Sequence, residues 1–146
     1  MLANHMAVED FERARRQARR RDWFSFLTRK SNDLLSFADI PPEQRRGHQR
    51  YQGLQTIPLE KIVGSEGRPH EFDRAFYPRE GRTRDRWVSI DRAHYADALL
   101  PPIELLKVGD AYFVRDGNHR VSVARTRGQV FIDAQVIEIV GPEQNN

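Results

Sequence analysis

The chain has 146 residues, a formal net charge of +3 and no cysteine. That length fits one domain with a core of its own, and the missing cysteine excludes disulfides, a thiolate nucleophile and thiolate-held metal. No apolar run is long enough to cross a bilayer and no apolar signal segment opens the chain, so the expectation is a cytoplasmic protein with no membrane partner.

In chain order, residues 8–29 read as a helix that neither Gly nor Pro interrupts, with Val8, Phe11, Ala14 and Ala18 as its apolar stripe. Glu9, Asp10 and Glu12 are expected in its first turns, where the helix dipole favours anions. Its middle is basic, with Arg13, Arg15, Arg16, Arg19, Arg20 and Arg21. Trp23, Phe24, Phe26 and Leu27 follow and are expected to pack the helix onto the rest of the chain, with base stacking as the alternative. Ser31 is placed as the N-cap of a second short helix carrying Leu34, Leu35 and Phe37, stopped by Pro41-Pro42. Residues 43–53 are polar and read as a connector.

The second half has an α/β rhythm. Residues 54–63 read as a strand, followed by a loop through Gly64, Gly67 and Pro69, and residues 71–86 are charged and ambiguous. Ser89-Ile90-Asp91 opens a predicted helix through Leu99, which Pro101-Pro102 ends. Ile103 to Val108, the turn Gly109-Asp110, and Ala111 to Arg115 form a predicted hairpin. After Asp116-Gly117 comes a predicted helix, 119–127, with Gly128 as its C′ residue, and then a last strand, 130–140. The expected organisation is an arginine-rich helical extension over 1–53, a small mixed-sheet α/β (α+β) domain with short helices over 54–141, and a tail at 142–146.

The informative element is the strand–turn–helix AYFVR, DGNH, RVSVARTRG. A glycine at the strand end permits a backbone conformation other residues resist, and the helix that starts at once offers free N–H groups and a positive dipole end to an anion. His119 and Arg120 add donors, and Arg120 can grip a phosphate at two points. Asp116 can orient a histidine or hold a phosphate-bound metal. No protein-held metal is expected: His70, His94 and His119 match no ligand spacing, and His70 and His94 read as surface or packing residues. Ser122 reads as a polar face residue.

Only Lys30, Lys61 and Lys107 are lysines among the 24 basic residues. The planar guanidinium suits phosphate, but a GC-rich coding sequence produces the same bias. A DNA or RNA partner therefore rests on Arg16, Arg19 and Arg20 of the basic helix. The competing reading is a solvated helix paired with nearby acids.

The quoted turn, with IPLEKIVGSEGRPHEFD at 57–73 and PPIELLKVGDAYFVRDGNHRVSVARTRG at 101–128, resembles the ParB N-terminal-like superfamily, a bacterial-type domain group that also includes sulfiredoxins and free serine kinases. The resemblance covers about 54–140 and is less clear over 81–95. It implies a nucleotide, ATP or CTP with or without Mg2+, whose phosphates lie on Gly117, Asn118, His119 and Arg120. Asn118 stands where sulfiredoxins carry their reactive cysteine, which excludes sulfinic acid reduction. Partition proteins of the superfamily usually have two arginines where this chain has His119-Arg120. They also continue into a helix-turn-helix region, which is not expected here. The free serine kinases have a similar turn, matched by Asp116, His119 and Arg120, and a base glutamate for which Glu71 is the nearest counterpart and Glu66 a weaker one. Two expectations follow. One is a nucleotide-responsive or nucleic-acid-associated binding module. The other is an enzyme, a phosphotransferase, nucleotide hydrolase or nuclease, with Asp116, His119 and Glu71 as catalytic residues. A homodimer is left open.

Overall fold

In the computed structural model, which describes residues 2–141, the first helix α1 runs over Leu2–Thr28. It starts six residues earlier than the sequence reading placed it, because Leu2 to Ala7 are compatible with helix and His5 pairs with Glu9 one turn on, at 3.2 Å. Glu9, Asp10 and Glu12 therefore lie beyond the first turn, and the dipole role expected for them does not hold. Asp10 instead accepts the Tyr95 hydroxyl at 2.6 Å. The buried stripe of α1 is Ala7, Phe11, Ala14 and Ala18.

The helix expected after Ser31 is absent. The Ser31 hydroxyl accepts the Asp33 amide at 3.1 Å, a local turn that competes with helix, and the chain continues into strand β1 (Leu35–Ser36) and a 3-10 turn, Phe37–Asp39. The expected connector contains a short helix α2 (Pro42–Arg45) and the first half of strand β2 (His48–Pro58). That half lacks apolar alternation because β2 is an edge strand, hydrogen-bonded only to β6 among the described residues and with its side chains largely in water. A 3-10 turn at Leu59–Lys61 separates β2 from β3 (Ile62–Ser65), where a single strand was expected. Helix α3 (Arg84–Tyr95) begins five residues before the expected Ser89. Strands β4 (Ile103–Val108) and β5 (Ala111–Asp116) form the expected hairpin, followed by α4 (Asn118–Thr126) and β6 (Phe131–Val140).

The six strands form one mixed sheet in the order β1-β3-β5-β4-β6-β2. β1, β3 and β5 are successively parallel, β4 is antiparallel to β5 and parallel to β6, and β2 is antiparallel to β6. The fold is α/β, as expected. Pleating sends alternate side chains to opposite faces. Ile103, Leu105, Val114, Ala134 and Val136 meet Phe11, Trp87 and Val121 on the helical face, while Leu106, Phe113 and Ile139 pack with Phe37 and Ile40 on the other. The position 53/54 falls inside β2, and Ala7, Phe11 and Ala14 of α1 share the core of the later elements. The tail at 142–146 lies outside the described residues.

Two contacts fix the helical layer. Trp87 Nε1 donates to Ser122 Oγ at 2.8 Å, tying α3 to α4, and the Trp87 ring meets Phe11 edge to face at 5.6 Å. Ser122 is fully buried, so it is a core acceptor and not the polar face residue expected. The loop 71–80 is organised by the buried carboxylate of Asp73. It accepts the amides of Ala75 and Tyr77 at 2.9 and 3.0 Å, Asn32 Nδ2 at 3.2 Å and Arg21 Nε at 3.1 Å. These bonds hold Phe76 buried at φ 65, a backbone conformation that a bulky side chain rarely adopts.

Candidate functional site

The turn between β5 and α4 is built around Gly117, at φ 114 and ψ 25. A Cβ there would lie 2.5 Å from Ile103 Cγ2, so the close packing of β4 and the backbone conformation both require glycine. The Gly117 carbonyl accepts the Val121 amide at 2.9 Å, which closes the first turn of α4. Among the described residues no side chain caps that turn, which leaves its leading N–H groups for an anion.

His119, in the first turn of α4, is buried, and its ring meets Phe72 edge to face at 5.4 Å. Burial pushes its pKa down to about 4; nearby Glu71 works in the opposite direction, and Arg86 and Arg68 reinforce the fall. The imidazole is therefore neutral at pH 7, able to donate from one nitrogen and accept at the other. Glu71 is also buried. Arg68 Nη1 donates to both its carboxylate oxygens, at 3.2 and 3.5 Å, and Arg82 Nε lies 3.9 Å away. The loop carrying Arg68 is pinned by its own amide donating to the buried Ser65 hydroxyl at 3.2 Å.

Arg120 faces another set of partners. Its Nη2 donates to Asp116 Oδ2 at 3.1 Å, and its Nη1 donates to the carbonyls of Pro101 and Pro102, the latter at 3.1 Å. Asn118 is buried with its Oδ1 unpartnered among the described residues. Arg115 Nε lies 3.9 Å from Glu66.

These residues frame a cleft of two lobes. The larger, of about 560 Å³, is lined by Arg68, His70, Glu71, Arg82, Arg86 and His119 among others. The smaller, of about 270 Å³, is lined by Arg115, Asp116, Gly117, Asn118, His119 and Arg120, and the lobes share Gly67, Arg68, Arg86 and His119. Glu71 and Asp116, the two expected bases, thus sit in different lobes with His119 between them. Glu66 lines neither. His70 is exposed and also lines the larger lobe.

The sequence reading missed Arg68, Arg82, Arg86 and Arg115. Arg68 and Arg115 stand beside quoted motifs, in GRPHEF and just before DGNHR, so a search for cations flanking the turn would have found them. Arg82 and Arg86 fall in the stretch left ambiguous. Arg86 enters no ion pair or side-chain hydrogen bond among the described residues.

A second region is built on α1. Arg13 pairs with Asp10, Arg15 donates to the Arg79 carbonyl, and Arg21 pairs with Asp73. Arg16, Arg19 and Arg20 are exposed. Trp23, Phe24, Phe26 and Leu27 do not pack the helix onto the domain, because nothing in α1 after Ala18 is buried and the helix end overhangs the core. Among the described residues no group of three or more His, Cys, Asp or Glu is arranged to hold a metal, and no helix is long and apolar enough to cross a membrane.

No family model matches the chain, and no curated protein matches it. Among solved structures, the chain is similar to sulfiredoxin from Arabidopsis thaliana at 20% sequence identity and a TM-score of 0.43, over 57% of this chain and 82% of that one. A likeness of that size carries no catalytic role or ligand from that protein to this one.

Proposed function

We propose that the cleft at the start of α4 binds a phosphate-bearing ligand, with a nucleotide, ATP or CTP, as the first candidate, and that the chain acts as a binding module. The observation that carries this reading is the convergence of Arg68, Arg86 and Arg115 on an uncapped helix start, with Arg86 lacking an ionic partner among the described residues. In this reading the leading N–H groups of α4 and Arg86 take the phosphate, and neutral His119 supplies one more donor. Asp116, with one oxygen engaged by Arg120, keeps the other for a Mg2+ carried by the nucleotide. Arg120 holds the turn to Pro101 and Pro102 while its charge adds to the field of the site.

The test is a thermal-shift panel of ATP, CTP and pyrophosphate with and without Mg2+. A ligand of the native state at a hundred times its Kd adds ~2.7 kcal/mol of stability. Arg86→Ala reduces that shift if the cleft is the site. No shift with any phosphate compound removes the reading.

A second reading, phosphoryl transfer or nucleotide hydrolysis, is favoured by the burial of Glu71 in the same lobe as neutral His119. Glu71 would accept a proton from the attacking hydroxyl. Release of phosphate from ATP or CTP that Glu71→Gln abolishes would establish it over a pure module.

A further inference from the structure

From Arg16 to Lys30 the chain carries Arg16, Arg19, Arg20, Arg21, Arg29 and Lys30 against one acid, Asp22. That acid is already neutralised by Arg79 Nη2 at 2.6 Å. Arg21 is used by Asp73. Arg16, Arg19 and Arg20 form no ion pair among the described residues and project where no other element covers them. Arg16, Arg20, Trp23 and Leu27 follow at helical steps of four, three and four, so they fall on one stripe, with Arg19 and Phe26 along its flank. The rings at the helix end are open to solvent: Trp23 is 61% exposed and Phe26 82%. Trp23 and Phe24 stand edge to face at 6.2 Å, an arrangement that occupies at most one ring face of the pair.

We propose that this overhanging end of α1 is a docking surface for an unpaired nucleic-acid strand. Arg16, Arg19 and Arg20 take successive phosphates, and Trp23, Phe24 and Phe26 take bases by stacking. From Arg16 to Lys30 the surface is cationic and its one acid, Asp22, is engaged by Arg79, so its partner is anionic. The guanidinium fork matches phosphate. Open aromatic faces beside it need flat, unstacked partners, which a single strand offers and a duplex withholds. Arg16 to Phe26 spans ~15 Å of helix at about 1.5 Å per residue, room for a few nucleotides. This surface is independent of the ligand of the α4 cleft.

The experiment is fluorescence anisotropy of the full chain with a labelled 15-nucleotide single strand, over a salt series. Parallel arms use the same sequence as duplex, anionic phosphatidylglycerol vesicles, and sedimentation of the protein alone. The expected result is single-strand binding that exceeds duplex binding and quenches the emission of exposed Trp23. The triple variant Arg16→Ala/Arg19→Ala/Arg20→Ala lowers the slope of log K against log salt by about 2, given about 0.7 per phosphate contact for single strands. Trp23→Ala and Phe26→Ala each weaken binding roughly tenfold with the slope unchanged, and Trp23→Phe restores most of it. All these side chains are exposed, so the variants should unfold like the parent chain, and urea melts check this. Absence of single-strand binding, binding indifferent to both sets of variants, vesicle association in its place, or self-association that buries Trp23 would each overturn the proposal.

Discussion

Arg120 Nη2 donates to Asp116 Oδ2 at 3.1 Å, one turn back in sequence, while the same guanidinium donates to the carbonyls of Pro101 and Pro102. An arginine that reads in the sequence as a ligand grip is thus also the clasp between the α4 turn and the segment entering β4. Asp116 is largely exposed, so the ion pair itself adds little. The stabilisation comes from the two carbonyl bonds. Arg120→Ala should lower the stability of the ligand-free protein by about 1–2 kcal/mol, read as a drop in melting temperature. Arg86→Ala should leave the melting temperature in place and weaken phosphate binding. Equal loss of stability in both variants would refute this division of labour.

Gly117 gives a second prediction. Gly117→Ala forces a Cβ against Ile103 at a backbone conformation that L side chains rarely adopt. The expected loss is roughly 1–3 kcal/mol, with the anion site distorted in whatever fraction remains folded. A variant with unchanged melting temperature and ligand binding would show that the turn does not need its left-handed residue.

The loop that leads from the larger lobe back to α1 should fail at Asp73. Its carboxylate is fully buried and accepts four bonds, from Arg21, Asn32, Ala75 and Tyr77. Asp73→Ala leaves those donors unpaired and frees Phe76 from its held conformation. A destabilisation of about 2–4 kcal/mol is expected in urea melts. A loss under about 0.5 kcal/mol, the size of an ordinary surface change, would contradict the role of Asp73 as the organiser of this loop.

Two buried groups should oppose each other in the pH dependence of stability. Asp91 is fully buried beside Asp10, and Arg127 Nε lies 3.1 Å from its Oδ1. Burial first, and the proton-sharing contact with Asp10 next, push Asp91 from 3.8 up to about 7. The folded chain holds this proton where the unfolded chain has released it, so stability from Asp91 is complete below about pH 4 and is lost as pH climbs to about 7. His119, lowered from 6.5 to about 4, acts in the opposite sense. The unfolded chain takes a proton that the folded chain refuses, so stability rises as pH climbs from about 4 to 6.5. Each slope is at most ~1.4 kcal/mol per pH unit. Asp91→Asn should expose the rising limb and His119→Gln the falling one, measured by urea melts at several pH values. Parent-like profiles in both variants would show that neither group is perturbed.

How much was legible in the sequence follows from which contacts were local. The hairpin about Gly109 and the Gly117 turn into α4 are set by residues adjacent in the chain, and both lie where the residues placed them. Gly128, at φ 78 just past α4, has the conformation its C′ position requires. The first half of β2 was read as a connector because its partner is β6, with His48 opposite Val140, and an exposed edge strand needs no apolar alternation. Trp23 to Leu27 read as packing residues because apolar content marks a helix face but not where the domain beneath it ends. For the cleft, the DGNHR turn was visible, but Arg68 and Arg86 reach it through the folding of separate segments. Arg68 at least stands in the quoted GRPHEF, whereas nothing local distinguished Arg86 from the chain's other arginines.

The phosphate-binding reading is tested most directly by isothermal titration of CTP and ATP, each with Mg2+, into the full chain and into Arg86→Ala. The expected result is binding of at least one nucleotide to the parent chain. The variant, equally stable without ligand, should bind ~10- to 100-fold more weakly, the loss of a charge-assisted hydrogen bond. Undiminished affinity in Arg86→Ala, or no heat from either nucleotide, would contradict it.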